Sequence, residues 1–564
     1  MTVSAAGSSG SSTTSSSSSV TSAISSSLSN IDWNALIQSQ VNAKLASTTA
    51  IQTKIDNNNA KVSAYQNFQT LLSSLATATQ ALNAATAGNR STSAFNARAA
   101  EITGNGNVNA SSIVDLSLQG GAPVGDYTLE VGQLAQAHKV AGIVSGDSTT
   151  ALGLNGSFSI GLDGGAAASV TVTANMTLGD IVAAINNTTG TTNVQASIVQ
   201  VSSGQSEIVL TATQAAANIT TSVVSGDDVL NQLGLTDGSG NFTDVLRAAQ
   251  PAQFTLDGIS LTRNTNDISD VLQGVTFHLM QPTPAGTSVN INIDTDTDQI
   301  TTAMQSFVSA YNAVRDFVVS QQATNADGTA SSDAVLFGDS TLRGIMSQMQ
   351  AAVNTTVNGM SLNDLGLSFN TSNELVLDSS TLSTALSTNL AGVEDLLTSD
   401  ATTSSANLRT IAAGGGISTP FVVNIAVDGL GNVTSASVNG DSSLFSISGN
   451  TLVGKVGTAY QGMAFAFTGT TSEAVTITPT IGIAALINSI ASTNSNPLSG
   501  SLQTLVNNLQ QQDTTYQQKI SDIQQQAAAY QGQLQAQYAK YQAAIQQANN
   551  TLNFLSALLQ QKSS

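Results

Sequence analysis

Four charged side chains cluster near the middle of the chain, and their types could support chemistry. Asp257, Arg263, Asp267 and Asp270 fall within fourteen residues, although only 9% of the 564 residues are charged. Carboxylates grouped in this way can act as an acid–base pair or as ligands of a cation. They can also pair with a nearby arginine, so Arg263 gives the cluster a purely structural use.

The same stretch has the pattern of a β motif interrupted by turns. Asp257-Gly258 predicts a tight turn, and Asn266 or Asp267 can cap a short helical turn that Gly274 ends. No spacing typical of a catalytic pair is present. We therefore predict that this stretch supports the fold and does not catalyse a reaction.

A phosphate-loop spacing occurs between Gly449 and Lys455. Val456 stands where a serine or threonine would hold magnesium, and the flanking pattern is strand to strand instead of strand to helix. We predict no nucleotide site.

Three aspartates, Asp294, Asp296 and Asp298, resemble the start of a calcium loop. Gln299 occupies the position that needs glycine, and Gln305 the position that needs glutamate. Carboxylates at the N-terminus of a helix also favour the helix dipole, which explains this run without calcium. We predict no metal.

The chain has two histidines, His138 and His278. Neither has a metal-ligating neighbour in the sequence, and no Ser–His–Asp set can be nominated from spacing. His278 alternates with Phe277 and Leu279, which places it on the polar face of a strand. We therefore predict that the chain binds no cofactor and is not an enzyme.

Composition excludes several classes of function. Lys+Arg 15 against Asp+Glu 35 gives a net charge of −20, which argues against nucleic acid and anionic lipid as partners. Cysteine is absent, so there is no disulfide and no thiolate chemistry. We expect no membrane insertion, because no apolar run is long enough. Fifteen of the first 29 residues are serine, which predicts a disordered export leader without a signal peptide.

Helical patterns mark both ends of the chain. Apolar residues recur at steps of three and four from Ile31 to Leu82 and again from Leu502 to the C-terminus. The second run is glutamine-rich and predicts a coiled coil whose stripe, the candidate assembly interface, is Leu502, Leu505, Leu509, Tyr516, Ile520, Ile523, Tyr530, Leu534, Tyr541, Ile545, Leu552, Leu555 and Leu559. We expect both stripes to be buried only when they dock into neighbouring copies or the tip of a growing fibre.

Three Asp-Gly turns, at Asp163, Asp257 and Asp428, separate short strands and predict antiparallel hairpins. The fold class is therefore α+β and multidomain, with long terminal coiled-coil helices, a helical layer and antiparallel β-rich head modules inserted between them. The predicted segments are a leader at 1–30, an N-terminal helical segment at 31–96, a first β module at 97–137 and 249–298, a second β module at 138–248, a helical layer at 299–404 and 482–500, an added β insert at 405–481 and a C-terminal coiled coil at 501–564.

Ordered motifs give the chain a family resemblance. Phe254–Leu279, Phe307–Asn312, Leu336–Arg343 and Glu374–Asp378 occur in the order of the bacterial flagellar filament-cap family, also called hook-associated protein 2, and the helix around Val62–Tyr65 is similar to that family's N-terminal helix. The resemblance identifies Asp257, Gly258, Arg263, Asp270 and Gly274 as residues of the family's middle fold motif.

This resemblance implies a role and a set of partners. It implies a ring of copies, a pentamer, secreted by the flagellar type III export channel to the distal tip of the filament. There it would retain flagellin and promote its folding and polymerisation. The expected partners are flagellin, the hook-associated junction proteins, a cytoplasmic export chaperone and, through the β head, a host mucin or glycan in cell adhesion.

Two other functions share the pattern of helical ends and a β middle. One is a flagellin-like or hook–filament junction protein, and the other is a surface adhesin with a β head. Deleting the gene distinguishes a filament cap from an adhesin, because a cap mutant releases flagellin monomers whereas an adhesin mutant keeps its filaments.

Overall fold

A computed structural model describes residues 32–83, 93–144, 147–414 and 417–562. The predicted leader lies outside these residues. The described residues divide into two compact units: a helical unit of 32–76, 310–351 and 489–562, and a β-rich unit of the described residues between 77 and 309 and between 352 and 488. In the part described, no helix is long and apolar enough to cross a membrane.

Long helices occupy both ends of the chain and the region after the first two β modules, and shorter helices lie within those modules. They are α1 Trp33–Ala81, α2 Ala110–Ile113, α3 Leu178–Asn186, α4 Thr189–Thr192, α5 Val229–Gln232, α6 Thr297–Ser320, α7 Ser340–Val353, α8 Ser379–Leu397, α9 Ile483–Ser495 and α10 Ser501–Lys562. The 62-residue α10 spans the predicted coiled coil.

The strands pair in antiparallel sheets. They are β1 Arg98–Asn105, β2 Val114–Leu118, β3 Gly125–Gln133, β4 Ala137–Val144, β5 Gly156–Leu162, β6 Ala167–Val172, β7 Val194–Ser202, β8 Gln205–Ala215, β9 Ile219–Gly226, β10 Asp244–Arg247, β11 Ala252–Leu256, β12 Ile259–Arg263, β13 Asp267–Leu272, β14 Val275–Leu279, β15 Ser288–Thr295, β16 Leu367–Phe369, β17 Leu375–Leu377, β18 Asp400–Thr403, β19 Leu408–Ala413, β20 Phe421–Val427, β21 Val433–Ser437, β22 Phe445–Ser448, β23 Thr451–Gly454, β24 Met463–Phe467 and β25 Glu473–Thr480.

The first β module contains a five-stranded sheet, β1-β15-β3-β11-β12, and a three-stranded sheet, β13-β14-β2. Alternation along β14 buries Val275, Phe277 and Leu279 in the core that the two sheets share, and leaves His278 half-exposed on the other face. The predicted placement of His278 on the polar face of a strand is confirmed.

One local prediction is wrong: residues 267–272 form strand β13 instead of a capped helical turn. Asp267 pairs with His278 and Ile268 with Phe277 across the sheet. Ile268 is buried in the module core, so tertiary pairing outweighs the local capping signal. Asn266 uses its side-chain amide to bind the backbone N–H and C=O of Ala135 at 2.7 and 3.0 Å.

The second β module has two sheets, β10-β4-β8-β7 and β6-β5-β9, around a core that includes Phe158, Ile160 and Leu210. Helix α3 begins at a capping box in which the Thr177 hydroxyl and the Asp180 carboxylate satisfy each other's backbone N–H groups.

His138 is buried in this module, and its Nδ1 accepts the backbone N–H of Ile219 at 2.9 Å. Burial lowers the pKa of the His138 imidazole, and the nearby Asp163 carboxylate opposes this shift more weakly. The unfolded chain therefore binds a proton at a higher pH than the folded module does.

We expect the second β module to be fully stable above about pH 6.5, the usual histidine pKa, and to lose stability as the pH falls through the folded value. Hydrogen exchange of the module's backbone amides from pH 7 to 5, corrected for intrinsic rates, measures this slope. His138→Gln keeps an acceptor for Ile219 without the titration and should flatten the slope. An unchanged slope in this variant would contradict the assignment.

The added insert is also a two-sheet module, with sheets β18-β25-β20-β21 and β19-β24-β23-β22. Its core includes Val423, Leu452, Phe465 and Ile477. Its first strand begins at Asp400, a few residues before the predicted start at 405. The hairpin β16–β17 lies within the segment predicted as purely helical, because its strands are too short to produce a periodic signal.

Candidate functional site

Helices α1 and α10 pack against each other within the helical unit. Ile37 and Val41 of α1 form a buried cluster with Ala527 and Leu534 of α10. The rings of Trp33 and Tyr538 lie 5.1 Å apart between centroids. The apolar stripes of the two chain ends therefore meet within one copy over this part of their length. The expectation that they are buried only on assembly is wrong here, because each helix covers the stripe of the other.

Polar contacts take the place of the charged pairs that usually align coiled coils. Gln40 donates to the Tyr538 hydroxyl at 3.0 Å and accepts from the Tyr530 hydroxyl at 2.9 Å. The ammonium of Lys44 lies 4.8 Å from the centroid of the Tyr530 ring, within the range of a cation–π contact. Amide and tyrosine side chains thus fix the pairing of these glutamine-rich helices.

A buried polar pair, Asn58 and Asp513, lies inside the contact between α1 and α10. Asn58 Nδ2 donates to Asp513 Oδ1 at 2.8 Å and to Gln512 Oε1 at 2.9 Å. Asn58 and Asp513 are both buried, and Asp513 Oδ2 accepts no hydrogen bond from any residue that the structure describes. A slipped register would leave both side chains buried and unpaired, so this pair favours one register.

The predicted stripe of α10 divides by burial. Leu502 and Leu534 are buried, and the members from Tyr541 onward are mostly exposed. The half-buried members are Leu505, Leu509, Tyr516, Ile520, Ile523, Tyr530 and Ile545, and the exposed ones are Tyr541, Leu552, Leu555 and Leu559. Val506 and Ala527 are also buried. They are missing from the predicted stripe, although both follow the same spacing of three and four residues.

The exposed end of α10 is apolar. We call residues 541–559 the distal segment. It contains Phe554, 65% exposed, and Leu559, 68% exposed, in addition to Leu552 and Leu555. Single exposed leucines are common, but several within two helical turns form a patch of the kind that binds another surface.

A second contact joins two of the family motifs. The Tyr65 hydroxyl of α1 donates to Asp339 Oδ2 at 2.6 Å, and Asp339 Oδ1 accepts the backbone N–H groups of Thr341 and Leu342 at the start of α7. Burial, together with this hydrogen bond, raises the pKa of the Tyr65 hydroxyl above its usual range. One carboxylate thus caps α7 and anchors α1.

We expect Tyr65→Phe to destabilise the helical unit by about 1.5–3 kcal/mol, the usual worth of a hydrogen bond to a charged group. Urea denaturation followed by the helical circular-dichroism signal measures the loss. Tyr516→Phe is the matched control, because the Tyr516 hydroxyl makes no hydrogen bond within the described residues and its removal should change stability by less than about 0.5 kcal/mol. Equal effects of the two substitutions would refute the Tyr65 contact.

The middle motif is held by its charged side chains. Arg263 pairs with Asp270 at 2.9 Å, and this contact lowers the pKa of the Asp270 carboxyl. Asp257 and Gly258 form the β11–β12 turn with φ of 51° and 77°, and the Asp257 carboxylate accepts the N–H of Thr128. Gly274, with φ of 77°, makes the turn between β13 and β14. Each of these five motif residues thus has a structural contact or turn conformation.

The structure brings together a set that spacing could not nominate. Ser117 Oγ lies 3.0 Å from His278 Nε2, and His278 Nδ1 lies 2.7 Å from Asp267 Oδ1. This is the hydrogen-bond order of a serine-hydrolase triad. The three residues come from the neighbouring strands β2, β14 and β13, so only the sheet register reveals the set.

The geometry around this triad differs from that of a hydrolase. Asp267 is 75% exposed at its side chain and Ser117 is exposed, so water screens the charge that would have to stabilise an imidazolium. Asp267 lines a cavity together with Asn264, Thr265 and Asn266, but Ser117 and His278 are not part of that cavity's wall. The set is best understood as a ladder of cross-strand hydrogen bonds on an exposed sheet face.

The remaining sequence candidates lie at the start of a helix and between two strands. The Asp296 carboxylate accepts the N–H of Gln299 at the start of α6, and no group of three His, Cys, Asp or Glu residues in the described regions could hold a metal ion. Gly449 lies between β22 and β23, so the phosphate-loop spacing joins two strands, as predicted.

Comparisons with known families agree with the motif order. The family model "Flagellar hook-associated protein 2 C-terminus" matches residues 249–550, "Flagellar hook-associated protein 2 N-terminus" matches residues 29–138, and "Flagellin hook IN motif" matches residues 157–214. The last match falls within the second β module.

Relatives of known name share much of the chain. It is 31% identical to flagellar hook-associated protein 2 of Escherichia coli K12, over 71% of this chain and 86% of that protein. It is 26% identical to the B-type flagellar hook-associated protein 2 of Pseudomonas aeruginosa, over 67% and 81%. Among solved structures, the D1-D2-D3 domains of the flagellar cap protein FliD from Escherichia coli align with a TM-score of 0.49 at 23% identity, covering 79% of this chain and 99% of that one. The C-terminal model's match over more than half of the residues, together with the identity to the Escherichia coli relative, shows that this chain belongs to the flagellar hook-associated protein 2 family.

Proposed function

We propose that this chain, a flagellar filament-cap protein of the distal filament tip, retains exported flagellin and promotes its folding and polymerisation there. The observation that carries the proposal is the distal segment of α10, which continues the packed helix as an exposed apolar surface. A surface of this kind fits a partner that presents its own apolar helices, as a growing fibre of subunits does.

The three β modules, each with its own hydrophobic core, suit the assembly of copies into a cap. Folded modules of this kind can hold copies in a ring while the helical ends contact the filament. We propose a closed ring, with five copies as the working number. Flagellin, the hook-associated junction proteins and a cytoplasmic export chaperone are the proposed partners, and binding of host mucin or glycan by the β modules stays a prediction.

The alternatives are not favoured. The hook-associated protein 2 models cover both the N-terminal and the C-terminal parts of the chain, which argues against a flagellin-like subunit or a separate adhesin. Deleting the gene provides the test. We expect flagellin monomers in the culture medium and cells without filaments, together with closed rings of the purified protein in electron micrographs. Normal filaments in the deletion strain would refute the proposal.

The family is structural, and we propose that the chain catalyses no reaction. The Ser117–His278–Asp267 set allows a direct test with a fluorophosphonate probe, which labels activated serines. We expect no label at Ser117 by mass spectrometry, and no difference between the natural chain and Ser117→Ala. A stoichiometric label that His278→Ala abolishes would show that the triad is active.

A further inference from the structure

A cavity of about 450 Å³ lies where three segments of the β-rich unit meet. Its wall includes residues just before and within β1, the end of α8 and the start of β18, the first strand of the insert. The size suits a small ligand. Most of the side chains in the wall are polar, so a polar ligand is expected.

The wall carries an excess of negative charge. Glu394, Asp395 and Asp400 contribute carboxylates, against the single guanidinium of Arg98. Arg98 donates to the backbone carbonyls of Ala122, Phe95 and Ala97 at 2.9–3.1 Å and forms no ion pair within the described residues. Its charge is therefore committed to the backbone, and the cavity favours a cation.

Two hydroxyl groups in the same wall lack partners among the described residues. Ser93 and Ser399 are 3% and 7% exposed, and the buried Oγ atom of each makes no hydrogen bond within that part of the chain. A buried hydroxyl without a partner is unfavourable, and native proteins rarely keep one without a reason. A serine hydroxyl can rotate and accept a hydrogen bond from a donor placed in the cavity.

We propose that this cavity binds a primary ammonium group, either of a small diamine or of a lysine side chain. An ammonium has three donors, which suits carboxylate and hydroxyl acceptors spread around it. The described carboxylates do not form a group that could hold a metal ion, so a cation that binds through N–H donors fits the wall better. The bound ammonium ties the end of α8 and the start of the insert to β1. The inference is independent of the capping role.

Calorimetric titration of the full chain tests the proposal with 1,4-diaminobutane and, separately, with Nα-acetyl-lysine methylamide. We expect saturable binding of at least one amine and a higher melting temperature in its presence. Asp395→Asn combined with Asp400→Asn should weaken the affinity at least tenfold. The matched control, Asp244→Asn combined with Asp522→Asn, removes the same charge from exposed positions outside the cavity and should bind normally.

A second variant separates binding from folding. Ser93→Ala combined with Ser399→Ala should lower the affinity several-fold without lowering the melting temperature of the free protein, since neither hydroxyl makes a hydrogen bond to a described residue. The proposal is overturned if neither amine binds at millimolar concentration. It is also overturned if the cavity variant and its charge-matched control bind the amine with equal affinity. Preference for diaminobutane identifies a free amine as the ligand, and preference for the lysine derivative identifies a protein side chain.

Discussion

Removing residues 501–564 is expected to abolish filament growth while the β modules stay folded. The deletion takes away α10 and leaves the apolar stripe of α1 without the surface that covers it, including Ile37 and Val41. The three β cores contain no residue from the deleted segment, so their stability does not depend on it. Cells that carry only the truncated gene should secrete flagellin into the medium and lack filaments.

Two measurements test the expected behaviour of the truncated protein. Circular dichroism of the purified truncated protein should keep a cooperative transition of the β signal, and immunoblots of the culture medium should show flagellin monomers. A truncated chain that still supports filaments of normal length would show that α10 is dispensable. Loss of the β transition would instead show that the helices are needed to fold the modules.

Exchanging three leucines of the distal segment for glutamine should abolish capping without changing the stability of the chain. Leu552, Leu555 and Leu559 are exposed, so each substitution should alter the free energy of unfolding by less than about 0.5 kcal/mol. Burial of a leucine against a partner contributes about 1.5–3 kcal/mol. Loss of all three therefore costs on the order of 5 kcal/mol of docking free energy, more than a thousand-fold in affinity.

The matched control exchanges three exposed glutamines of the same segment, Gln542, Gln546 and Gln547, for alanine. Glutamine and alanine both favour helix, so neither set should disturb α10. We expect the leucine variant to release flagellin and the control to form normal filaments, with the same melting temperature for both proteins. Filaments of normal length in the leucine variant would show that the distal segment is not the docking surface.

The sequence predicted the long helices and most of the hairpins because their signals are local. The steps of three and four residues in α10 and the Asp-Gly turns at 163, 257 and 428 depend only on neighbours in the chain. The coarse α+β architecture and the family followed from these elements and from the order of the motifs. The short hairpin β16–β17 was missed because three-residue strands have no detectable period.

Contacts between residues far apart in the sequence could not be predicted from these local signals. A capping signal at Asn266 and Asp267 predicted a helical turn, but pairing of Ile268 with Phe277 made the segment a strand. The Ser117–His278–Asp267 set and the Tyr65–Asp339 bond each join residues far apart in the sequence. No periodicity encodes these pairs.

The amino-acid sequence by itself determined the three–four spacing of the apolar stripe along the last helix. Only the tertiary structure decided how that stripe is divided, with Leu534 buried against α1 and the leucines beyond Tyr541 exposed. The physical reason is that helix periodicity is a property of one segment, whereas burial depends on how far along that helix a partner extends.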